Sequence, residues 1–285
     1  MKIVLYGNCQ ADALRIVLRQ QISEKDMVCI QNYHMIAKKS PVNKVALGDA
    51  DVFIYQPIDS KHGKYSTDPS VDENMLSYLP DHCLKISFPY IYNSGLWPLI
   101  APRACDWFEK DYCDTRSNNL DDAHPKNWIN MNVVTDLKSS GATLDEILNL
   151  YNNKKIDWRY KSRFQGNLDE MVRREKTIDL KVADFLKTNV KKQKIMVTHN
   201  HPTAAVFKHM ADQVLNKLNI DSVVDLDKVI YPNRKSSIPR NLAPADDQWL
   251  HTSYEQKHFG FEYDADCVHD DHYIPHIKYI YNNFD

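Results

Sequence analysis

Four short apolar runs, each ending abruptly at a polar or proline-containing break, limit the folds open to this chain. Residues 2–6 read KIVLY before Gly7-Asn8-Cys9-Gln10, and residues 51–55 read DVFIY before Gln56-Pro57. Residues 83–88 read CLKISF before Pro89, and residues 194–198 read KIMVT before His199-Asn200-His201-Pro202. Continuous apolar runs of this length fit strands buried on both faces, as in a parallel sheet. Met27–Ile30 is a further candidate strand. Helical spacing fills the gaps: Ala11, Leu14, Val17, Leu18 and Ile22 follow Asn8 as a plausible N-cap, and Val71–Leu79 reads as a short helix stopped by Pro80. Strands alternating with helices imply βαβ units, so the expected class is α/β with a mostly parallel sheet flanked by helices.

Between Tyr90 and Ser140 the pattern dissolves into a stretch rich in aromatic residues, including Trp97, Trp107 and Trp128. A structureless loop of that length is unusual in a compact domain, which implies a large, partly helical insertion. Thr143-Leu144-Asp145-Glu146 is a capping-box pattern opening a helix through Tyr151. Leu168, Met171, Val172, Ile178, Val182, Phe185 and Leu186 form one helical stripe, and Thr203–Leu218 is clearly helical. The expected organisation is a core of residues 1–89 plus 190–232, an insertion over 90–189, and a C-terminal extension over 233–285 packed on the core.

Lys+Arg 36 against Asp+Glu 38 gives a net charge of -2, so no overall field favours nucleic acid. No apolar run approaches the roughly 18 residues needed to span a bilayer, and the first strand is too short for a signal-peptide core. A cytoplasmic protein with no integral membrane segment is expected. The six cysteines carry no CxxC pair and are expected to be reduced thiols. GxGxxG and GxxxxGK[ST] are both absent, so nothing argues for those nucleotide sites.

In a parallel sheet the four breaks fall on one edge, at the carboxyl ends of the strands, where open α/β sheets bind ligands. There Cys9 would occupy the first turn of a helix, whose N–H groups and dipole favour a thiolate, and a nearby imidazole would favour it further. The same N–H groups could hold a phosphate or an oxyanion. The alternative is a buried free cysteine. His201, with His199 second, is the candidate general base that would activate Cys9; alternatively Asn200 and His201 merely cap the next helix. Neighbouring Asn8, Gln10, Gln56 and Asn200 are candidate ligand contacts. Arg163 and Arg173, from basic strings at 159–163 and 173–174, are candidates to meet phosphates, and Arg234–Arg240 forms a third such string. Cys267, His269, His272 and His276 have metal-capable side chains, but Pro275 interrupts any helix and the spacing matches no familiar zinc module, so no metal is expected.

GNCQ, DVFIYQPI, FPYIYNSGLWP, VRREKTIDLKVADF and THNHPTAAVF, in that order, resemble the WcbI family of polysaccharide biosynthesis proteins from residue 1 to about residue 220. The resemblance implies a flavodoxin-like α/β fold related to SGNH-type hydrolases, binding of coenzyme A, and acetyl transfer to capsular or surface polysaccharide. It also puts Cys9 where SGNH enzymes carry serine, and His201 near their histidine. Those enzymes usually carry aspartate three residues before that histidine. Here the corresponding positions are Thr198 for His201 and Met196 for His199, so the resemblance carries over a Cys–His dyad and leaves a third triad member unassigned.

Three functions follow as alternatives. The first is an acyltransferase carrying an acyl group from coenzyme A to a sugar hydroxyl. The second is a thioesterase or carbohydrate esterase using the same dyad with water. The third is a non-catalytic glycan- or nucleotide-binding protein in which Cys9 is packed.

Overall fold

The computed structural model describes residues 1–98, 132–231, 241–243, 251–263, 270–271 and 273–284. In chain order the elements begin β1 (Ile3–Gly7), α1 (Cys9–Leu18), β2 (Met27–Gln31), α2 (Asn32–Lys38), α3 (Lys44–Gly48), β3 (Val52–Tyr55) and β4 (Leu84–Ser87). They continue with α4 (Asn132–Ser139), α5 (Leu144–Asn152), α6 (Tyr160–Glu175), α7 (Ala183–Asn189), β5 (Met196–Thr198) and β6 (His201–Pro202). The last are α8 (Ala204–Lys217), α9 (Ser253–Phe259) and α10 (Ile274–Asn283). None of the described helices is long and apolar enough to cross a membrane.

The chain divides into two units, one of Met1–Tyr92, Asp169–Asn189 and His201–Asp246, the other of Asn93–Leu168, Val190–Asn200 and Asp247–Asp285. These boundaries differ from those expected at 89/90 and 189/190. Residues 169–189 group with the sheet, whereas 190–200 and 247–285 group with 93–168.

The first unit holds a four-stranded, all-parallel sheet in the order β2-β1-β3-β4. Ile3 lies opposite Met27 on one side and Val52 on the other, and Val52 lies opposite Leu84. All five residues of β1 are buried, as a central strand covered on both faces must be. Val4, Tyr6, Ile30 and Phe53 pack with Met35, Leu47, Tyr65 and Met75 on one face. By the strand's two-residue alternation Ile3 and Leu5 point to the other face, where α1 packs on β1 and α8 packs on α1. Burying each of these large side chains is worth about 1.5–3 kcal/mol, which makes this layer the energetic centre of the unit.

Where helical spacing predicts one stripe from Leu168 to Leu186, the chain forms two helices, α6 and α7, separated by residues 176–182. Glu175, at the last position of α6 and buried, turns its Oε1 to accept the N–H groups of Val182 and Ala183 at 2.6 and 2.9 Å. That carboxylate supplies the opening of α7 with the acceptor its first N–H groups lack. Ile178, Leu180 and Val182 are buried from a non-helical backbone. The helix expected over Val71–Leu79 is reduced to a 3-10 turn at Met75–Tyr78, capped by Asn74.

In the second unit α10 packs on α4 and α5. The expected capping box is present, with Thr143 and Glu146 opening α5, and a second one, Thr252 with Glu255, opens α9. Pro275 starts α10 rather than interrupting a helix, because proline near the first helical position gives up an N–H that would have no intrahelical partner.

Candidate active site at the sheet switch point

The strand order reverses at β1, since β2 lies on one side of it and β3, reached next, on the other. In open α/β sheets the crevice beyond such a reversal, at the carboxyl ends of the strands, is where ligands bind. Gly7-Asn8-Cys9-Gln10 stands there after β1, and Gln56 after β3.

Asn8 caps α1 as its sequence position predicts. Its Oδ1 accepts the Gln10 N–H at 2.9 Å, and its carbonyl accepts the Ala11 N–H at 2.9 Å. Cys9 is therefore the first residue of a ten-residue helix, a half-buried thiol at the end where the helix dipole favours negative charge. Gly7 is required by space. A Cβ there would lie 2.9 Å from Gln56 Oε1, 3.0 Å from Ala11 Cβ and 3.1 Å from Phe88 Cζ. The missing side chain lets the turn after β1 close onto the ends of β3 and β4.

Gln10 and Gln56 are brought together with Cys9, but both are buried and their amides bond to the protein itself. The Asn8 N–H donates to Gln56 Oε1 at 2.9 Å, and Gln56 Nε2 donates to Gln10 Oε1 at 3.2 Å. Gln10 in turn pairs with residue 91 as a strand would, accepting the Ile91 N–H at 3.0 Å and donating to the Ile91 carbonyl at 2.8 Å.

At the end of β4, Ser87 meets a partner that the spacing does not reveal. Asp179 Oδ2 accepts both its N–H and its hydroxyl, at 2.8 and 2.7 Å, and the Asp179 N–H returns a bond to Ser87 Oγ at 2.9 Å. The only signal was the recurrence of polar residues at strand ends.

His201 lies in the same unit as Cys9. It is half-buried in β6, and Thr203 rather than Asn200 or His201 is the N-cap of α8. His201 and Cys9 thus stand just ahead of and at the start of two helices, α8 and α1, that pack on each other. β5 is a strand as expected, but it is not a member of the four-stranded sheet. Three of the four expected breaks therefore line that sheet's carboxyl edge, and the fourth does not continue it.

His199 and Asn200 belong to the second unit. The His199 carbonyl accepts the Asn93 N–H at 2.7 Å, and Thr198 Oγ1 donates to Asn200 Oδ1 at 3.1 Å. Asn93 also accepts the Gly95 N–H on its Oδ1 at 2.8 Å. Arg163 is largely buried there, its guanidinium donating to the carbonyls of Trp158, Ser94 and Trp97 at 2.8, 2.9 and 2.9 Å. Burial pushes its pKa down to about 10. Arg173 is exposed and bonds Glu170 at 2.6 and 2.8 Å, a carboxylate it shares with Arg174. Arg234–Arg240 and the candidate ligands Cys267, His269 and His272 lie outside the described residues, whereas His276 is buried on α10. Among the described residues no group of three metal-capable side chains converges.

No curated protein matches the chain. A solved structure of WcbI, described as a novel polysaccharide biosynthesis enzyme in its native form without a disulfide bond between coenzyme A and one of its cysteines, shares this fold. Its TM-score is 0.63 at 18% identity, with 100% of this chain and 90% of that chain covered. The family model for the polysaccharide biosynthesis enzyme WcbI matches residues 2–222. Ordered strings and fold agree, and the chain belongs to the WcbI family of polysaccharide biosynthesis enzymes.

Proposed function

We propose that this chain is a coenzyme A-dependent acyltransferase, moving an acetyl or related group to a sugar hydroxyl during surface polysaccharide synthesis. The observation that carries the reading is Cys9, a half-buried thiol on the first turn of α1 at the sheet's switch point. The related WcbI structure, whose description mentions coenzyme A and a cysteine together, supports the choice of donor.

The Asn8 N–H is committed to Gln56, so the Asn8 side-chain amide and the Cys9 backbone, both half-buried at a helix N-terminus, would meet a thioester carbonyl or a phosphate. Coenzyme A, when bound, supplies the activated acyl thioester. In direct transfer His201 takes the proton of the attacking sugar hydroxyl and gives it to the departing coenzyme A thiolate. Where Cys9 carries the acyl group, His201 first passes the Cys9 thiol proton to that thiolate and then passes the sugar hydroxyl proton to the Cys9 sulfur released in the second step. Cys9 either holds the acyl group between the two half-reactions or lines the thioester pocket. Gln10 and Gln56 shape the turn, and Arg163 secures the 94–97 backbone. Arg173 would have to surrender Glu170 to meet a phosphate.

Incubation with isotopically labelled acetyl-CoA and a panel of nucleotide sugars and oligosaccharides tests the assignment. Label recovered as an ester on a sugar is the expected result. Label released only as free acetate would replace this reading by the hydrolase.

A further inference from the structure

We infer that Gln56 is a positioning residue for Cys9, reaching across from the end of β3 to fix the Gly7–Asn8 peptide, one residue ahead of the thiol. The inference rests on the reading of Cys9 as the reacting centre, and it names the group that sets the geometry of that centre.

Gln56 and Gln10 are only 3% and 1% exposed, at the ligand-binding edge of the sheet, where two buried amides cost free energy unless fully bonded. Their bonding has one direction. The N–H groups of Asn8 and Ile91 can only donate, and the carbonyls of Pro89 and Ile91 can only accept. Gln56 must therefore turn its oxygen to Asn8 at 2.9 Å and its nitrogen to Gln10 Oε1 at 3.2 Å, with the Pro89 carbonyl 3.5 Å away. Gln10 must then turn its own nitrogen to the Ile91 carbonyl at 2.8 Å. The result is a directed series, Asn8 to Gln56 to Gln10 to Ile91, that joins the ends of β1, β3 and β4. Gly7 packs against the Gln56 oxygen, so the peptide joining Gly7 to Asn8 is held from the side as well as at its N–H. An apolar pair of similar volume would fill the space but would not specify the orientation of that peptide.

The test is the pH–rate profile for alkylation of Cys9 by iodoacetamide in the full chain, with the label located by peptide mass spectrometry. Gln56→Glu keeps the shape but cannot donate to Gln10 and places negative charge beside the turn. It is expected to raise the Cys9 midpoint by at least about one pH unit, which approaches a tenfold loss of thiolate at pH well below the wild-type midpoint. Gln56→Met, which releases the Asn8 N–H without adding charge, is expected to raise it by less. Two folded variants with the wild-type midpoint would overturn the inference and leave Gln56 as a spacer.

Should neither variant fold, the wild-type chain still decides. Slow solvent exchange of the Gln56 side-chain amide protons is expected, and rapid exchange would contradict a fixed series. None of these measurements uses coenzyme A. A chain that shows the shift yet binds no coenzyme A would remove the proposed function and keep this inference, whereas binding without the shift would do the reverse.

Discussion

Asp179 grips Ser87 from two sides, accepting its N–H at 2.8 Å and its hydroxyl at 2.7 Å, and so ties the segment between α6 and α7 to the end of β4. Asp179→Ala leaves the Ser87 N–H without that acceptor and is expected to cost about 1–3 kcal/mol in urea unfolding. Burial alone would raise the Asp179 pKa, but the Ser87 bonds, helped by Lys217, bring it below the ordinary value. A depressed carboxylate stabilises the fold above the unfolded-state pKa, near pH 4, and that contribution is lost as pH falls through the folded value. Acid unfolding curves of Asp179→Ala should accordingly be flatter than wild type below about pH 4.

Gly95 has no room for a side chain. A Cβ would stand 2.3 Å from the backbone nitrogen of Phe164 and 2.4 Å from its Cα, and backbone cannot swing away. Gly95→Ala should destabilise by at least about 1–3 kcal/mol, the usual range for overpacking, measured as a fall in urea midpoint. An unchanged midpoint would mean that the 93–98 segment does not press on α6.

Glu255 is buried at the opening of α9, bonded by the Tyr160 hydroxyl and by Thr252. Burial outweighs those bonds and raises its pKa above the ordinary carboxylate value. The folded state then holds a proton that the unfolded state has released, so this contribution declines as pH rises from about 4.5 through the folded value. Glu255→Gln should flatten the dependence of melting temperature on pH in that window. A decline as steep as wild type would assign it to other groups.

Much of this fold was legible because burial and capping leave direct marks in sequence. KIVLY, DVFIY and CLKISF are continuous apolar runs because parallel strands are covered on both faces, and Asn8 and Thr143 announce the helices they cap. The break between α6 and α7 was hidden because Ile178 and Val182 continue a helical stripe while being buried from an irregular backbone. What breaks the helix is the bonding of Glu175 and Asp179, which spacing does not display. Cys9, Asn8, Gln10 and Gln56 stand out in the sequence by their places after strands, and the fold puts them at the carboxyl ends of β1 and β3. The inward bonding of the two glutamines was not, because a glutamine facing a ligand and one facing a neighbouring peptide read alike. Arg163 poses the same problem: three backbone carbonyls in the fold, a phosphate candidate in the string.

His201→Gln separates proton transfer from binding. If His201 is the general base, turnover to a sugar acceptor should fall by about 10²–10⁴-fold while affinity for coenzyme A stays within about threefold. Equal losses in both would make it a binding residue, and full turnover would leave proton transfer to another group.

Calorimetric titration of the wild-type chain with coenzyme A tests the central claim most directly. Saturable binding at a single site is expected, with occupancy protecting Cys9 from alkylation by iodoacetamide. No heat of binding at millimolar coenzyme A, with Cys9 alkylated at the same rate throughout, would contradict the account.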